Sequence, residues 1–268
     1  MGRIINQSTR SIAFVQGQYG FSDPESGNPL RYLVTPQGIL FFIAENGEDQ
    51  ENIVRINFSG TAFVVSDQGH LLTNRHIAEP WLMRDQKDAP NIEGMNPHIL
   101  GLRALLPGRQ TAFDTVLLRS DLEVDLAILK IDLDGADAAP LELSNDTPNI
   151  GDEVLVMGYP LGISGMLARA SPEFLKDFDT EEEHSAWEIV DRLSEQGLIE
   201  PLASRGIVSQ LSDQFIVYDA ETTIGGSGGP VFDLDGKVIG VNTAIMKQFG
   251  GSNLGIPAIY ARPLLDSL

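Results

Sequence analysis

Tyr218-Asp-Ala-Glu-Thr-Thr-Ile-Gly-Gly-Ser-Gly-Gly-Pro-Val-Phe-Asp-Leu-Asp-Gly-Lys-Val-Ile-Gly-Val-Asn-Thr-Ala244 sets one serine, Ser227, between two pairs of glycines and ahead of Pro230. Glycine reaches positive φ without strain and lets a backbone come close to a ligand. Successive N–H groups in such a loop form an anion-binding concavity, so the N–H groups of Gly225 and Ser227 are candidates to hold an oxyanion. A loose turn containing a serine has the same local composition. The residues that follow argue against it: Val231-Phe232 and Lys237-Val-Ile-Gly-Val-Asn242 read as two strands joined at the Asp235-Gly236 turn. The serine loop is thus anchored to a hairpin, and a serine nucleophile needs a base.

The 268 residues suffice for one large or two small domains. Twenty-seven glycines, 15 prolines and few long helical patterns favour many short strands. A net charge of −20 speaks against nucleic acid or an anionic membrane surface as partner, since both select basic surfaces. With no cysteine, disulfides, thiolate catalysis and cysteine-ligated zinc are excluded. No run has the length of a transmembrane helix, and the first residues lack the apolar core of a signal peptide. The expectation is an intracellular protein, or an envelope protein whose leader has been removed.

Strand-like runs recur at short spacing: 11–21, 33–34, 39–43, 53–58, 61–65, 70–73, 112–119 and 125–131. They resume at 151–158, 204–211, 214–218 and 253–259, the pattern of antiparallel barrels or sandwiches. Residues 132–144 read as a linker. Between Gly158 and Ser204 the rhythm breaks into helical signals: Ser171-Pro172, a capping pattern at Thr180–Glu183, and Trp187, Val190 and Leu193 before Gly197. The acidity of 177–183 and the completeness of the flanking strands make this segment an expected surface hairpin or lid.

All four histidines, His70, His76, His98 and His184, precede Ser227. Gly225-Gly-Ser-Gly-Gly229 also matches the nucleophile elbow of α/β-hydrolases, but there the histidine follows the serine. The subtilisin order needs a catalytic acid before the histidine on a parallel α/β sheet, and the chain shows no βαβ rhythm. The order His, Asp, Ser on a β-rich scaffold remains. His76 ends a strand and follows Thr73 and Asn74, which makes it the best base. His70 and His98 read as surface residues, and His184 as a solvated helix residue among glutamates. Asp125 opens the apolar run Leu126-Ala-Ile-Leu129, which argues for burial, and a buried aspartate holds a histidine's tautomer.

Gly60-Thr-Ala-Phe-Val-Val65, Leu72-Thr-Asn-Arg-His76, Asp125-Leu-Ala-Ile-Leu129, Gly151-Asp-Glu-Val-Leu-Val-Met-Gly-Tyr-Pro160, Gly206-Ile-Val-Ser209 and Gly225-Gly-Ser-Gly-Gly-Pro230 together resemble the trypsin-like serine proteases of the HtrA/Deg branch. The resemblance implies an all-β fold of two six-stranded antiparallel barrels, the first over about 11–135 and the second over about 146–262, with a helical insertion at about 165–203. It implies a serine endopeptidase acting on polypeptides, with His76, Asp125 and Ser227 as catalytic triad, Gly225 and Ser227 as oxyanion hole, and no cofactor or metal. By register, Thr222, Ile245 and Met246 approach the specificity pocket and favour a small or aliphatic residue. Glu221 stands where a trypsin carries its selecting acid. Gly226 departs from the asparagine or aspartate usual there, so activation by a new N-terminal amine is not expected. The resemblance is to a protease domain without PDZ, that module being expected to be absent or cut away, and an oligomer is left open. The rival is a latent protease-fold binding module whose cleft the 165–203 insertion blocks.

Overall fold

The computed structural model describes residues 1–43, 52–82, 94–176, 178, 184–245 and 252–268. The first half is built from β1 (Ile12–Ser22), the hairpin β2 (Leu30–Thr35) and β3 (Gly38–Ile43), β4 (Ile56–Val64), β5 (His70–Thr73), β6 (Asn96–Leu105), β7 (Phe113–Asp114), β8 (Val116–Ser120) and β9 (Ala127–Lys130). Apart from the hairpin, which forms a two-stranded sheet of its own, these strands form one sheet in the order β7-β6-β1-β4-β5-β9-β8. A closed six-stranded barrel was expected, whereas this is a seven-stranded sheet. Its two edges, β7 and β8, are separated only by Thr115, whose N–H donates to the Leu102 carbonyl at 3.2 Å. One strand broken at a single residue therefore leaves the ring nearly closed.

The second half contains β10 (Glu153–Gly158), β11 (Leu202–Leu211), β12 (Ile216–Tyr218), β13 (Pro230–Phe232), β14 (Val238–Ile245) and β15 (Asn253–Pro257). They close a six-stranded antiparallel barrel in the order β10-β11-β12-β15-β14-β13. The architecture is the chymotrypsin-like double barrel that the resemblance implied, and it fits the antiparallel barrels or sandwich suggested by the strand rhythm.

Burial explains why several strands read as continuous apolar runs. In β1, Ala13 and Val15 pack with Ala62, Val64, Leu71 and Leu129 inside the first sheet. Ile12 and Phe14 on its other face join Phe63 and Leu72, and also Leu155, Met157 and Phe232 of the second barrel. One face of β1 thus fills the first sheet and the other fills the seam between barrels, so period-2 alternation is masked. Residues 53–58 and 61–65, expected as separate strands, are one strand, β4. Gly60 continues it opposite Val15 because a side chain there would meet Ile77 at 2.7 Å.

Between β10 and β11 lie α3 (Gly162–Leu167), α4 (Pro172–Lys176) and α5 (Ala186–Glu195), preceded in the chain by α1 (Gly2–Ser8) and the single turn α2 (Arg75–Ala78) and followed at its end by α6 (Arg262–Asp266). Ser171 caps α4 as expected, its hydroxyl accepting from the Phe174 N–H at 3.2 Å. The capping box of α5 is Ser185 with Glu188; the pattern at 180–183 lies outside the described residues. The expectation of a surface appendage is corrected here. Val190 and Leu193 are completely buried in the seam between the barrels, and α5 is riveted to the first sheet through a buried arginine. Arg103 bonds Asp191 at 2.6 Å and the Trp187 carbonyl at 2.8 Å, and its guanidinium stacks 4.2 Å from the Trp187 ring. The helical periodicity of Trp187, Val190 and Leu193 was a core signature that the acidity of the preceding run concealed.

Candidate active site

His76 stands in α2, the turn that leaves β5, and Asp125 stands two residues before β9, the neighbour of β5 in the sheet. Pairing of Thr73 with Ala127 sets the two elements in register. The Asp125 carboxylate consequently meets His76 twice: Oδ1 accepts from the His76 backbone N–H at 2.9 Å, and Oδ2 lies 2.7 Å from Nδ1. Asn74 steadies the same corner, its side-chain amide donating to the Asp125 carbonyl at 3.0 Å. Burial pushes the Asp125 carboxyl up, but its bonds and attraction to His76 and a bond from Thr243 outweigh this and hold it below the usual carboxylate range.

Ser227 comes from the second barrel, in the loop between β12 and β13. Its hydroxyl donates to the Thr243 carbonyl at 2.9 Å, and the Thr243 hydroxyl donates to Asp125 Oδ2 at 2.7 Å. One residue of β14 therefore joins the serine to the His–Asp pair. Thr243 was not singled out from sequence; the only available signal was a hydroxyl residue at the end of an apolar strand.

The glycine loop has a defined shape. The Ile224 carbonyl accepts from the Leu161 N–H at 2.7 Å. In a planar trans peptide C=O and N–H point in opposite directions, so the Gly225 N–H is turned away from Leu161. Among the described residues, neither this N–H nor that of Ser227 donates to a protein acceptor. Gly225 has φ +95°, and a Cβ there would lie 2.5 Å from the Tyr159 carbonyl, so only glycine fits. Gly226 answers to a different constraint. A Cβ at this position would lie 2.2 Å from Thr222 Oγ1, so Thr222 occupies the space that a side chain at 226 would need.

Thr61, also missed from sequence, clasps the two halves. Its hydroxyl donates to the Gly225 carbonyl at 2.8 Å and accepts from the Tyr159 N–H at 3.1 Å. Its backbone N–H donates to the Ser227 carbonyl at 2.9 Å, and its own carbonyl accepts from the Thr73 hydroxyl at 2.7 Å.

Of the expected specificity residues, Thr222 accepts a 3.4 Å bond from the Asn242 side chain and lines a cavity of about 260 Å³ with Glu221. Ile245 ends β14 in register with Asn253, and Met246 lies outside the described residues. The other histidines are elsewhere. His70 bonds the Ser66 hydroxyl at 2.8 Å, and His98 pairs with Gly20 in β6. His184 is not the solvated helix residue expected: it precedes α5, its ring packs edge-on against Phe178, and its Nε2 is buried without a partner. Among the described residues no group of three or more histidine, aspartate or glutamate side chains is placed to hold a metal ion.

Similarity to known proteins agrees with this geometry. Residues 60–241 match the family model described as a trypsin-like peptidase domain. A probable periplasmic serine endoprotease, DegP-like, from Rhizobium meliloti is 26% identical over 98% of this chain and 45% of its own length. The protein of the same name from Rickettsia prowazekii is 30% identical over 78% of this chain and 33% of its own length. The chain thus spans less than half the length of these relatives. Among solved structures, the serine endoprotease from Yersinia pestis superposes with a TM-score of 0.57 at 18% identity, over 99% of this chain and 65% of that one. The active form of the Rv3671c protease from M. tuberculosis gives 0.56 at 17%, over 98% and 82%. With two thirds of its length matched by the family model and its fold shared with these proteases, the chain belongs to the trypsin-like peptidase domain family.

Proposed function

We propose that this chain is a serine endopeptidase that cleaves polypeptides through an acyl-enzyme. The observation that carries the reading is the relay of short bonds His76–Asp125–Thr243–Ser227 across the junction of the two barrels. In the reaction the Ser227 hydroxyl turns from the Thr243 carbonyl to His76, gives it the proton and attacks the scissile carbonyl carbon. The tetrahedral oxyanion is met by the N–H groups of Gly225 and Ser227, and Asp125 stabilises the imidazolium. His76 then passes the proton to the leaving amine, the C–N bond breaks, and water releases the acyl group by the same steps. Such bonds are commonly unformed without substrate and tighten in the complex. Thr222, Ile245 and Met246 would receive a small or aliphatic side chain. The relatives' periplasmic setting is extended to this chain as part of the same proposal.

The engagement of Ser227 by Thr243 also favours a resting form that substrate must release. A fluorophosphonate probe separates the readings. Labelling at Ser227 that disappears in His76→Ala supports the endopeptidase. Absence of labelling, with no cleavage of an unfolded protein, leaves a binding module.

A further inference from the structure

A second cavity, of about 320 Å³, opens directly against His76. Its walls come from three places. Phe58 and Ile77 belong to the first sheet and its turn, Ile224 precedes the oxyanion glycine, and Ile163 and Ala186 come from α3 and α5. It holds Ile224 but none of Glu221, Thr222 and Thr223, which line the other cavity. The segment 221–224 therefore separates two spaces. The one beside His76 is where a chain must pass if His76 is to protonate its departing amine.

The helical wall of this space is stiff. The Gln16 side chain donates to the Ala186 carbonyl at 2.9 Å and accepts from Arg103 at 2.9 Å, and Arg103 holds Trp187 and Asp191. Gln16 and Arg103 are both buried, so the first turn of α5 is fixed against the sheet. The same bonds engage both the amide and the oxygen of the Gln16 side chain. The Asn57 side-chain oxygen accepts from the Gln18 amide at 2.9 Å. Ser59, the Asn57 amide and His76 are the polar groups left on the lining, the rest of it is apolar, and Ile224, 79% exposed, stands at the mouth with little to cover it. Such a pocket rejects a charged side chain, which would lose its hydration without a partner, and gains from an aliphatic one.

Resting on the endopeptidase reading, we infer that α3 and α5 form a specificity wall. With Ala186 and Ile163 as the deciding residues, they select an aliphatic side chain in the first position on the leaving side of the cut. The test is digestion of a proteome-derived peptide library, with mass spectrometry reading the residues on both sides of each cut. For the wild type, Leu, Ile and Val are expected to be enriched over Asp, Glu and Lys on the leaving side. Ala186→Leu, which fills the pocket, is expected to shift that side at least fivefold toward Gly and Ala. Ile163→Ala, which enlarges it, is expected to shift it toward Phe and Tyr. The acyl-side residues should keep their distribution in both. Unchanged leaving-side profiles in both variants, or shifts confined to the acyl side, overturn the inference. Failure of the wild type to label with fluorophosphonate at Ser227 overturns the endopeptidase reading on which it stands.

Discussion

Replacing Thr61 by valine removes one hydroxyl while nearly conserving shape, at a position with no solvent exposure. That hydroxyl serves the Gly225 carbonyl and the Tyr159 N–H at once. In Thr61→Val both backbone groups are left buried and unpaired, at about 1–3 kcal/mol each, for a loss of about 2–6 kcal/mol. This is a large fraction of the ~5–15 kcal/mol that holds a typical domain folded. Thr61→Ser keeps the hydroxyl and loses one methyl, worth about 1 kcal/mol. The difference between the variants isolates the two hydrogen bonds. The two losses differ by about 1–5 kcal/mol, so urea unfolding should show a midpoint about 0.3–1.7 M lower for Thr61→Val than for Thr61→Ser, with m at about 3 kcal/mol/M. The Gly225 carbonyl is also released, so the glycine loop around Ser227 loses an anchor and, on the proposed mechanism, fluorophosphonate labelling should slow in Thr61→Val only. Equal midpoints and equal labelling rates in the two variants would refute the clasp.

Three further outcomes follow from the same geometry. Leu193→Ala empties a fully buried site in the seam, and calorimetry or urea unfolding should register a loss of about 2–5 kcal/mol; a loss under 0.5 kcal/mol would return the helical segment to the status of an appendage. Gly226→Ala drives a Cβ to 2.2 Å from Thr222 Oγ1, so labelling should slow at least tenfold, and adding Thr222→Ala should recover most of it; no recovery means that the crowding lies elsewhere. The Asp125 carboxyl is held below its unfolded value of about 3.9, so its stabilisation is complete above that value and is lost as pH falls through the folded one. Asp125→Asn abolishes this titration and should lower kcat about 10⁴-fold with the fold retained, and the stability gap to wild type should narrow as pH is taken below about 4; a gap independent of pH between 3 and 7 would contradict the assignment.

Much of this protein was legible in one dimension because its determinants are local. The run Gly225-Gly-Ser-Gly-Gly229 needs glycine where φ is positive and carbonyls crowd the backbone, and such demands act on single residues. The chain order of His76, Asp125 and Ser227 discriminated among folds without any distances. Strands such as Glu153–Gly158 announced themselves through apolar β-branched runs. What the tertiary structure alone decided are relations between residues far apart in the chain. Thr61 lies 164 positions from Gly225, and Thr243 lies 118 from Asp125. A threonine inside a strand looks the same whether its hydroxyl faces water or clasps two barrels. The helical segment misled for the same reason: its charged approach is local and visible, whereas the burial of Val190 and Leu193 depends on surface supplied by both barrels. Local stereochemistry is written residue by residue, but which hydroxyl meets which carbonyl is settled only when two sheets close against each other.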